Sequence, residues 1–286
     1  MANLKELRSR ITSVSSTMQI TSAMKMVSAA KLSKAQDAIT AMRPYAEKLT
    51  ELLQNLSATL SSDQGSKYAE QREVKNVLIV AISSNRGLAG AFNTNIIKGV
   101  KQLAAEDFSG KNVEVMTLGK KAHDILKKTF SVYRNNNGIY DDLSFDNSAA
   151  IAEDLMAQFV SGKYDKIVLV YNQFKNAATQ IVMKEQFLPI VPVEKDEDVV
   201  LDYIFEPSKE EIVEELIPKS LKMQVFKALR DSFASEHGAR MTAMHKATDN
   251  ATELRDSLKL SYNKARQASI TNEILEIVGG AEALNK

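Results

Sequence analysis

Leu4-Lys5-Glu6-Leu7-Arg8-Ser9-Arg10-Ile11-Thr12-Ser13-Val14-Ser15-Ser16-Thr17-Met18 opens a segment in which apolar residues return at alternating steps of three and four. Leu32, Ala35, Ile39, Met42, Ala46, Leu49, Leu53, Leu56 and Leu60 keep the same register. A 3.5-residue period held for so long is the pattern of a coiled-coil seam, because it keeps one stripe of a helix against a partner helix. At 1.5 Å per residue a continuous helix here would reach roughly 85 Å, beyond the needs of a compact domain. The spacing therefore predicts a strut, lever or shaft. Pro44 lies inside it, and since the register survives the proline, one bent element is expected rather than two.

The seam has a soft stretch where positions 21, 25 and 28 are Thr21, Lys25 and Ser28. Around it, Ile20-Thr21-Ser22-Ala23-Met24-Lys25-Met26-Val27 moves its apolar residues to a neighbouring face. Two readings stand side by side: a local stutter in the coil, or a stretch that faces something other than the partner helix.

Outward from this segment the character changes. Ser61-Ser62-Asp63-Gln64-Gly65-Ser66 is a loop signal. Val74–Ile82 is then a continuous apolar, β-rich run, as in a strand buried on both faces. It ends at Ser83-Ser84-Asn85-Arg86-Gly87-Leu88-Ala89-Gly90, before a helical stretch from Ala91 to about Ala105. Asn112–Leu118 and Lys166–Tyr171 read as further strands, with helices around Lys120–Lys128 and Asn147–Val160 between them. This alternation predicts a mainly parallel sheet with crossover helices. Thr179–Leu188 reads as an added strand at an edge, and Pro189, Pro192 and the acidic Glu194–Asp198 mark a loop.

The last segment opens at Ser208-Lys209-Glu210-Glu211, a capping box, and Pro218 should break or bend its start. Met244, Ala247, Ala251, Leu254, Leu258, Ser261, Ala265 and Ala268 then repeat the 3-4 spacing with mostly small residues. Small residues complement the larger seam of the first segment. The expected fold class is α/β plus coiled coil: a long antiparallel two-helix coiled coil from the N- and C-terminal segments, with an inserted Rossmann-like α/β domain. The boundaries are 1–62, 70–207 and 208–286.

Composition narrows the function classes. The 286 residues carry no cysteine, which excludes disulfides and thiolate chemistry. No apolar run is long enough to span a bilayer, and the start lacks the apolar core of a signal peptide. The net charge of +1 conceals an uneven distribution: residues 1–34 hold six Lys or Arg against Glu6, and residues 185–215 hold eleven acids against Lys195 and Lys209. Each block is read either as a solvated face or as a partner surface.

Chemistry is sparse. The turn Ser83–Gly90 has only Gly87 and Gly90, so it matches neither phosphate-loop pattern; a tight strand-to-helix turn is preferred over an anion site. His123, His237 and His245 lack metal-ligand spacing, and there is no Gly-x-Ser-x-Gly elbow. No catalytic, cofactor or metal site is expected. The C-terminal helix is polar around Ser235–Met244 and Tyr262–Glu273, either as a soluble outer face or as a surface that partners enclose through bonds that can be exchanged.

Several separate motifs then carry a resemblance. Ile270-Thr271-Asn272-Glu273-Ile274-Leu275-Glu276-Ile277-Val278-Gly279-Gly280-Ala281 is similar to the C-terminal signature of the gamma subunits of rotary ATP synthases, and Gln19–Val27 to its N-terminal counterpart. Ser84–Gly90, Ala239–Met244 and Ala247–Ala251 match the same family, with Asn85 where the family usually has Asp. The resemblance covers nearly the whole chain. It implies a non-catalytic rotor shaft that couples c-ring rotation to ATP synthesis or hydrolysis on the beta subunits, and so serves hydrogen ion transport. Implied partners are three alpha and three beta subunits, an epsilon subunit seated on the central domain, and the membrane c-ring, with no nucleic acid, cofactor or membrane insertion. Met24, Lys25, Arg240, Arg266, Gln267 and Thr271 would face the hexamer, and Tyr203, Phe205 and Glu206 the c-ring. The implied location is peripheral, on the cytoplasmic side of the inner cell membrane. The alternatives, a nucleotide-dependent enzyme with coiled-coil arms or a scaffolding coil, would require a phosphate loop or sustained basic faces.

Overall fold

The computed structural model describes residues 4–57, 67–190 and 209–284. The acidic loop at 194–198, the capping residue Ser208, and Tyr203, Phe205 and Glu206 lie outside the described residues. The elements run α1 (Leu4–Ser57), β1 (Asn76–Ile82), α2 (Phe92–Glu106), β2 (Asn112–Leu118), α3 (Lys120–Leu126) and β3 (Ser131–Asn135). After a short 3-10 turn at Gly138–Tyr140 come α4 (Phe145–Val160), β4 (Lys166–Phe174), β5 (Gln180–Leu188) and α5 (Lys209–Leu284). Both terminal helices continue through their prolines, Pro44 in α1 and Pro218 in α5. Of the two outcomes expected at Pro218, a break does not occur.

Contacts divide the chain into two compact units, Met1–Ser28 with Met241–Lys286, and Ala29–Arg240. The larger unit is built on a five-stranded sheet in the order β3-β2-β1-β4-β5. β1 pairs in parallel with β2 and with β4, β2 in parallel with β3, and β5 antiparallel with β4 at the edge. Strand β3 escaped the sequence reading because Ser131-Val132-Tyr133-Arg134-Asn135 is short and largely exposed, so it has no apolar face to betray it.

The unbroken apolar run of β1 follows from burial on both faces. Leu78, Val80 and Ile82 join one core with Met116, Leu118, Ile167, Leu169 and Tyr171; Val77, Ile79 and Ala81 join the other with Val115, Val168 and Val170. Helices α2 and α3 cover the second core through Ile96, Val100, Leu103, Ala122 and Leu126. The first is covered by α4 and, unexpectedly, by the early part of α5: Ile217, Leu221, Val225, Ala228 and Leu229 stand at helical spacing within it. The segment read as a coil arm thus begins as the outer layer of the α/β core.

In the smaller unit α1 and α5 run antiparallel. Thr21 Oγ1 lies 2.8 Å from Thr248 Oγ1, and Arg255 Nη1 lies 3.4 Å from Met18 Sδ. The buried stripe of α1 passes straight through its soft stretch, with Thr21 only 8 % and Ser28 2 % exposed. Ile20, Met26 and Val27 are the residues left outside. The polar seam positions therefore turn inward, and one threonine hydroxyl donates across to the other. On α5 the covered stripe is Met244, Thr248, Ala251, Arg255, Leu258, Tyr262, Ala265 and Ser269, whereas Leu254 is 52 % exposed, and Ser261 and Ala268 are exposed as well. Met244, Ala251, Leu258 and Ala265 of the expected stripe are covered, but the alternate positions shift by one residue, from Leu254, Ser261 and Ala268 to Arg255, Tyr262 and Ser269, because Arg255 and Tyr262 bury long stems that a hydrophobicity pattern scores as polar.

Gly119 ties β2 to α3 with φ +118, and a Cβ there would stand 2.1 Å from the Ser83 carbonyl oxygen. Both the backbone conformation and the space demand glycine. Gly119→Ala is expected to cost at least about 3 kcal/mol in denaturant unfolding. Gly87→Ala, whose Cβ would meet only the far end of Lys121 at 3.7 Å, should change stability little.

Candidate functional site

The turn after β1 is the motif that most resembled a ligand loop, and its polar groups are already engaged. Ser83 N donates to Leu118 O at 2.8 Å. The first backbone N–H groups of α3 are received one after another: Lys120 N by Asn85 Oδ1 at 3.0 Å, Lys121 N by Ser84 O at 3.1 Å, and Ala122 N by Ser83 Oγ at 3.0 Å. Helix N-termini carry unpaired donors, and Ser83-Ser84-Asn85 satisfies three of them from a distant loop. Asn93 closes the turn from α2, accepting from Ser84 N at 3.0 Å and donating to Ser84 Oγ at 2.8 Å. Asn85 adds a bond that aspartate could not make, since its Nδ2 donates to Asn137 O at 2.8 Å. Asparagine at this position thus has a structural use: one amide bridges three loops.

The polar stretch of α5 around Ser235–Arg240 was expected on an outer face, free for solvent or for partners. It is buried instead, packed against the same turn and the end of β4. Ser235 Oγ donates to Asn172 O at 3.0 Å, and Asn172 Nδ2 donates to Phe92 O at 3.2 Å. Arg240 Nη1 pairs with Glu236 Oε1 at 2.6 Å, one helical turn away, while Nη2 donates to the carbonyls of Arg86 and Gly87, each at 3.3 Å. Burial pushes the Glu236 carboxyl above its ordinary range, and the Arg240 guanidinium, with Lys31 and Arg86, pulls it back. Burial also brings the His237 imidazole down to about 4, helped by Arg240 and Lys31, so the ring sits neutral against Phe233 at a centroid distance of 4.5 Å. Gly238 lets the helix approach the β4–β5 hairpin, where a Cβ would come within 3.1 Å of Ala177 Cα.

The residues expected to face a partner fall into separate groups. Met24 and Lys25 are half-buried on α1 in the smaller unit, close to the level of Thr248. Arg266, Gln267 and Thr271 are exposed on α5, roughly 27 Å further along the helix axis by residue count. Arg240 is 7 % exposed, and its donors are directed into its own chain rather than outward. The sequence reading missed what surrounds the Arg266 group: Ile270, Ile274, Leu275, Ile277 and Val278 are all exposed, Ile277 at 71 %. Their i, i+4, i+7 spacing was the available signal, masked by its match to a family signature. Among the described residues no group of His, Asp and Glu could hold a metal ion.

Comparison with known proteins places this geometry. The ATP synthase family model matches residues 3–284. The chain is 80 % identical over 285 residues to the ATP synthase gamma chain of Christiangramia forsetii, with all of both chains covered. It is 72 % identical to that of Flavobacterium psychrophilum, with 99 % of each covered. Among solved structures, the central stalk and c-ring of Tetrahymena thermophila mitochondrial ATP synthase includes a chain with a TM-score of 0.60 at 27 % identity, covering 80 % of this chain and 99 % of that one. A rotor chain of the Euglena gracilis enzyme shares the fold with a TM-score of 0.70 at 24 % identity, covering 93 % and 98 %. A five-stranded α/β sheet in a chain with two long terminal helices is thus the fold of a class, the stalk subunits of ATP synthases. Within that class the chain belongs to the ATP synthase gamma-chain family, and it is the non-catalytic rotor subunit of the central stalk.

Two outcomes follow from the turn and its neighbours. Asn85→Ala should cost about 2–3 kcal/mol in chemical unfolding, because a helix donor and the Asn137 carbonyl both lose their partner; Asn85→Asp, which keeps the helix cap, should cost less. His237 is held below its unfolded value, so the unfolded chain binds the proton first as pH falls, and stability drops between about 6.5 and about 4. His237→Gln should flatten that part of the stability–pH curve, measured on the full chain; an unchanged slope would rule the imidazole out as its source.

Proposed function

We propose that this chain turns inside a ring of three alpha and three beta subunits, with the end of α5 as the part the ring encloses. The observation that carries this is the exposed end of α5. From the antiparallel pairing at Thr21–Thr248 and Met18–Arg255, Leu4 falls level with roughly residue 267, so Ile270–Val278 outruns the described part of α1. Five large apolar side chains on one helix end favour enclosure by a partner over solvent. Beside them Arg266, Gln267 and Thr271 offer polar groups that can be exchanged between subunits, each contact worth about 1 kcal/mol. Many modest contacts suit a turning shaft, whereas a few deep anchors would trap one orientation. The reading gives Met24 and Lys25 a second band of contact at another level of the same helix pair, where a cation meets a passing acidic loop. Arg240 belongs to this set by motif only, and its internal pairing gives it a structural part first.

In this reading α1 and the later part of α5 form a two-helix coiled coil, and residues 70–207 form an inserted domain of Rossmann-like topology between 1–62 and 208–286. The c-ring named with the Tetrahymena stalk is the driving partner, reached through Tyr203, Phe205 and Glu206. The domain is also the seat of an epsilon subunit. ATP forms on the beta subunits, proton flow through the membrane sector supplies the rotation, and the chain works as a peripheral component on the cytoplasmic face of the inner membrane. No described helix is long and apolar enough to cross a membrane.

Co-purification from the native membrane tests the assembly, with alpha, beta, epsilon and c-ring expected and one copy of this chain per hexamer. Arg266→Ala combined with Gln267→Ala should lower ATP-driven proton pumping several-fold, while the unfolding free energy of the isolated chain moves by no more than about 0.5 kcal/mol. Parallel losses in pumping and in stability would mean that these residues hold the helix rather than touch the ring.

A further inference from the structure

The strand order places a topological switch between β1 and β4, since the chain passes from β1 outward to β2 and β3 and then returns to the other side of β1 at β4. In open parallel sheets the crevice at the carboxyl ends of the two switch strands is where ligands bind. Here that crevice is filled by the protein's own helix. Ser235 reaches the β4 end through Asn172 O, Arg240 reaches the β1 turn through the carbonyls of Arg86 and Gly87, and Ala239 packs with Ala89 and Phe92. Gly238 closes on Ala177 of the β4–β5 hairpin. The chemistry of the turn is matched to this occupant. A phosphate would need free N–H donors, but the turn presents carbonyl oxygens to a guanidinium, and its serine and asparagine groups are spent on capping α3.

We infer that residues 235–240 of α5, seated in the switch-point crevice, are a permanently closed joint through which rotation applied to the α/β domain passes into α5. The inference rests on the rotor reading and specifies where within this chain the load crosses. The joint combines three features that suit the task. A bond lies at each end of the seated segment, at Ser235 and at Arg240. A glycine permits backbone-level contact between them. The buried Arg240 guanidinium would lose its two carbonyl acceptors on the β1 turn if the helix lifted away, which opposes opening. Ser235 and Arg240 are positioning residues in this account.

The chain has no native cysteine, so a thiol pair can be placed cleanly across the joint. Ala89→Cys with Ala239→Cys, in the assembled complex, should form a disulfide on oxidation and pump protons at the rate of the reduced form. Failure to cross-link would show that the crevice is open in the complex, and pumping lost on oxidation but restored by reduction would show that the joint must open in each cycle; either overturns the inference. Ser235→Ala tests the load from the other side, because Ser235 is fully buried and lies on no surface offered to a partner. Amide hydrogen exchange over 235–240 should quicken roughly tenfold. Protons pumped per ATP hydrolysed should fall, with assembly intact. Unchanged exchange, or faster exchange with an unchanged pumping ratio, counts against the joint. A wild-type complex that hydrolyses ATP without pumping, or that lacks this chain, would instead sink the rotor reading itself, with the cross-linking result left to be judged separately.

Discussion

A parallel sheet must be covered on both faces, and in this chain the cover for one face comes from a helix that also has work elsewhere. Strands β1 and β4 are apolar on both sides, so leaving either side wet would forfeit about 25 cal/mol for each Å² of apolar surface that the helices now bury. Helices α2 and α3 close one face; α4 closes only part of the other, and Ile217, Leu221, Val225, Ala228 and Leu229 of α5 complete it. Removing α5 from the larger unit would open its core. That dependence makes one continuous helix both wall and shaft: its early residues belong to the α/β core, and its late residues carry the exposed apolar end.

Between these two parts the helix surface changes chemistry, and the change has a reason. Where α5 leaves the hydrophobic face it meets the carboxyl edge of the sheet, which is made of backbone carbonyls and a turn that caps α3. An apolar helix there would leave acceptors unpaired at a cost of about 1–3 kcal/mol each. Ser235 and Arg240 supply the donors, and Glu236 balances the guanidinium within one turn. Neutral His237 beside this pair fits the same rule, since burial disfavours its charged form and a third cation next to Arg240 and Lys31 would be repelled.

Much of this architecture is legible in the order of residues. The strands at Asn112–Leu118 and Lys166 onward, the added edge strand and the crossover helices follow from apolar runs of strand length separated by helical ones. The helix pair follows from the heptads of α1. Other features are hidden for physical reasons. The register of the α5 stripe depends on Arg255 and Tyr262 burying their stems, the inward turn of Thr21 on a hydroxyl bond across the pair, and β3 on a pairing partner in place of an apolar face. Of the residues that the family motifs imply as partner contacts, Arg266, Gln267 and Thr271 stand exposed. Arg240, implied in the same way, is internal, because the carbonyls it binds on the β1 turn lie about 150 residues away in sequence.

Periodicity and composition by themselves determined that the chain has two long helical ends and a mainly parallel α/β middle, since burial on one stripe or on both faces of a strand leaves a local record in the order of residues. Only the tertiary structure decided which polar residues are internal. Ser83-Ser84-Asn85 looks like a ligand turn and caps a helix; Ser235–Arg240 looks like an outer face and fills a crevice. A polar side chain carries no local sign of whether its partner is water, another subunit or a carbonyl brought near by the fold. That assignment rests on long-range geometry, which the order of residues specifies only through the folded whole.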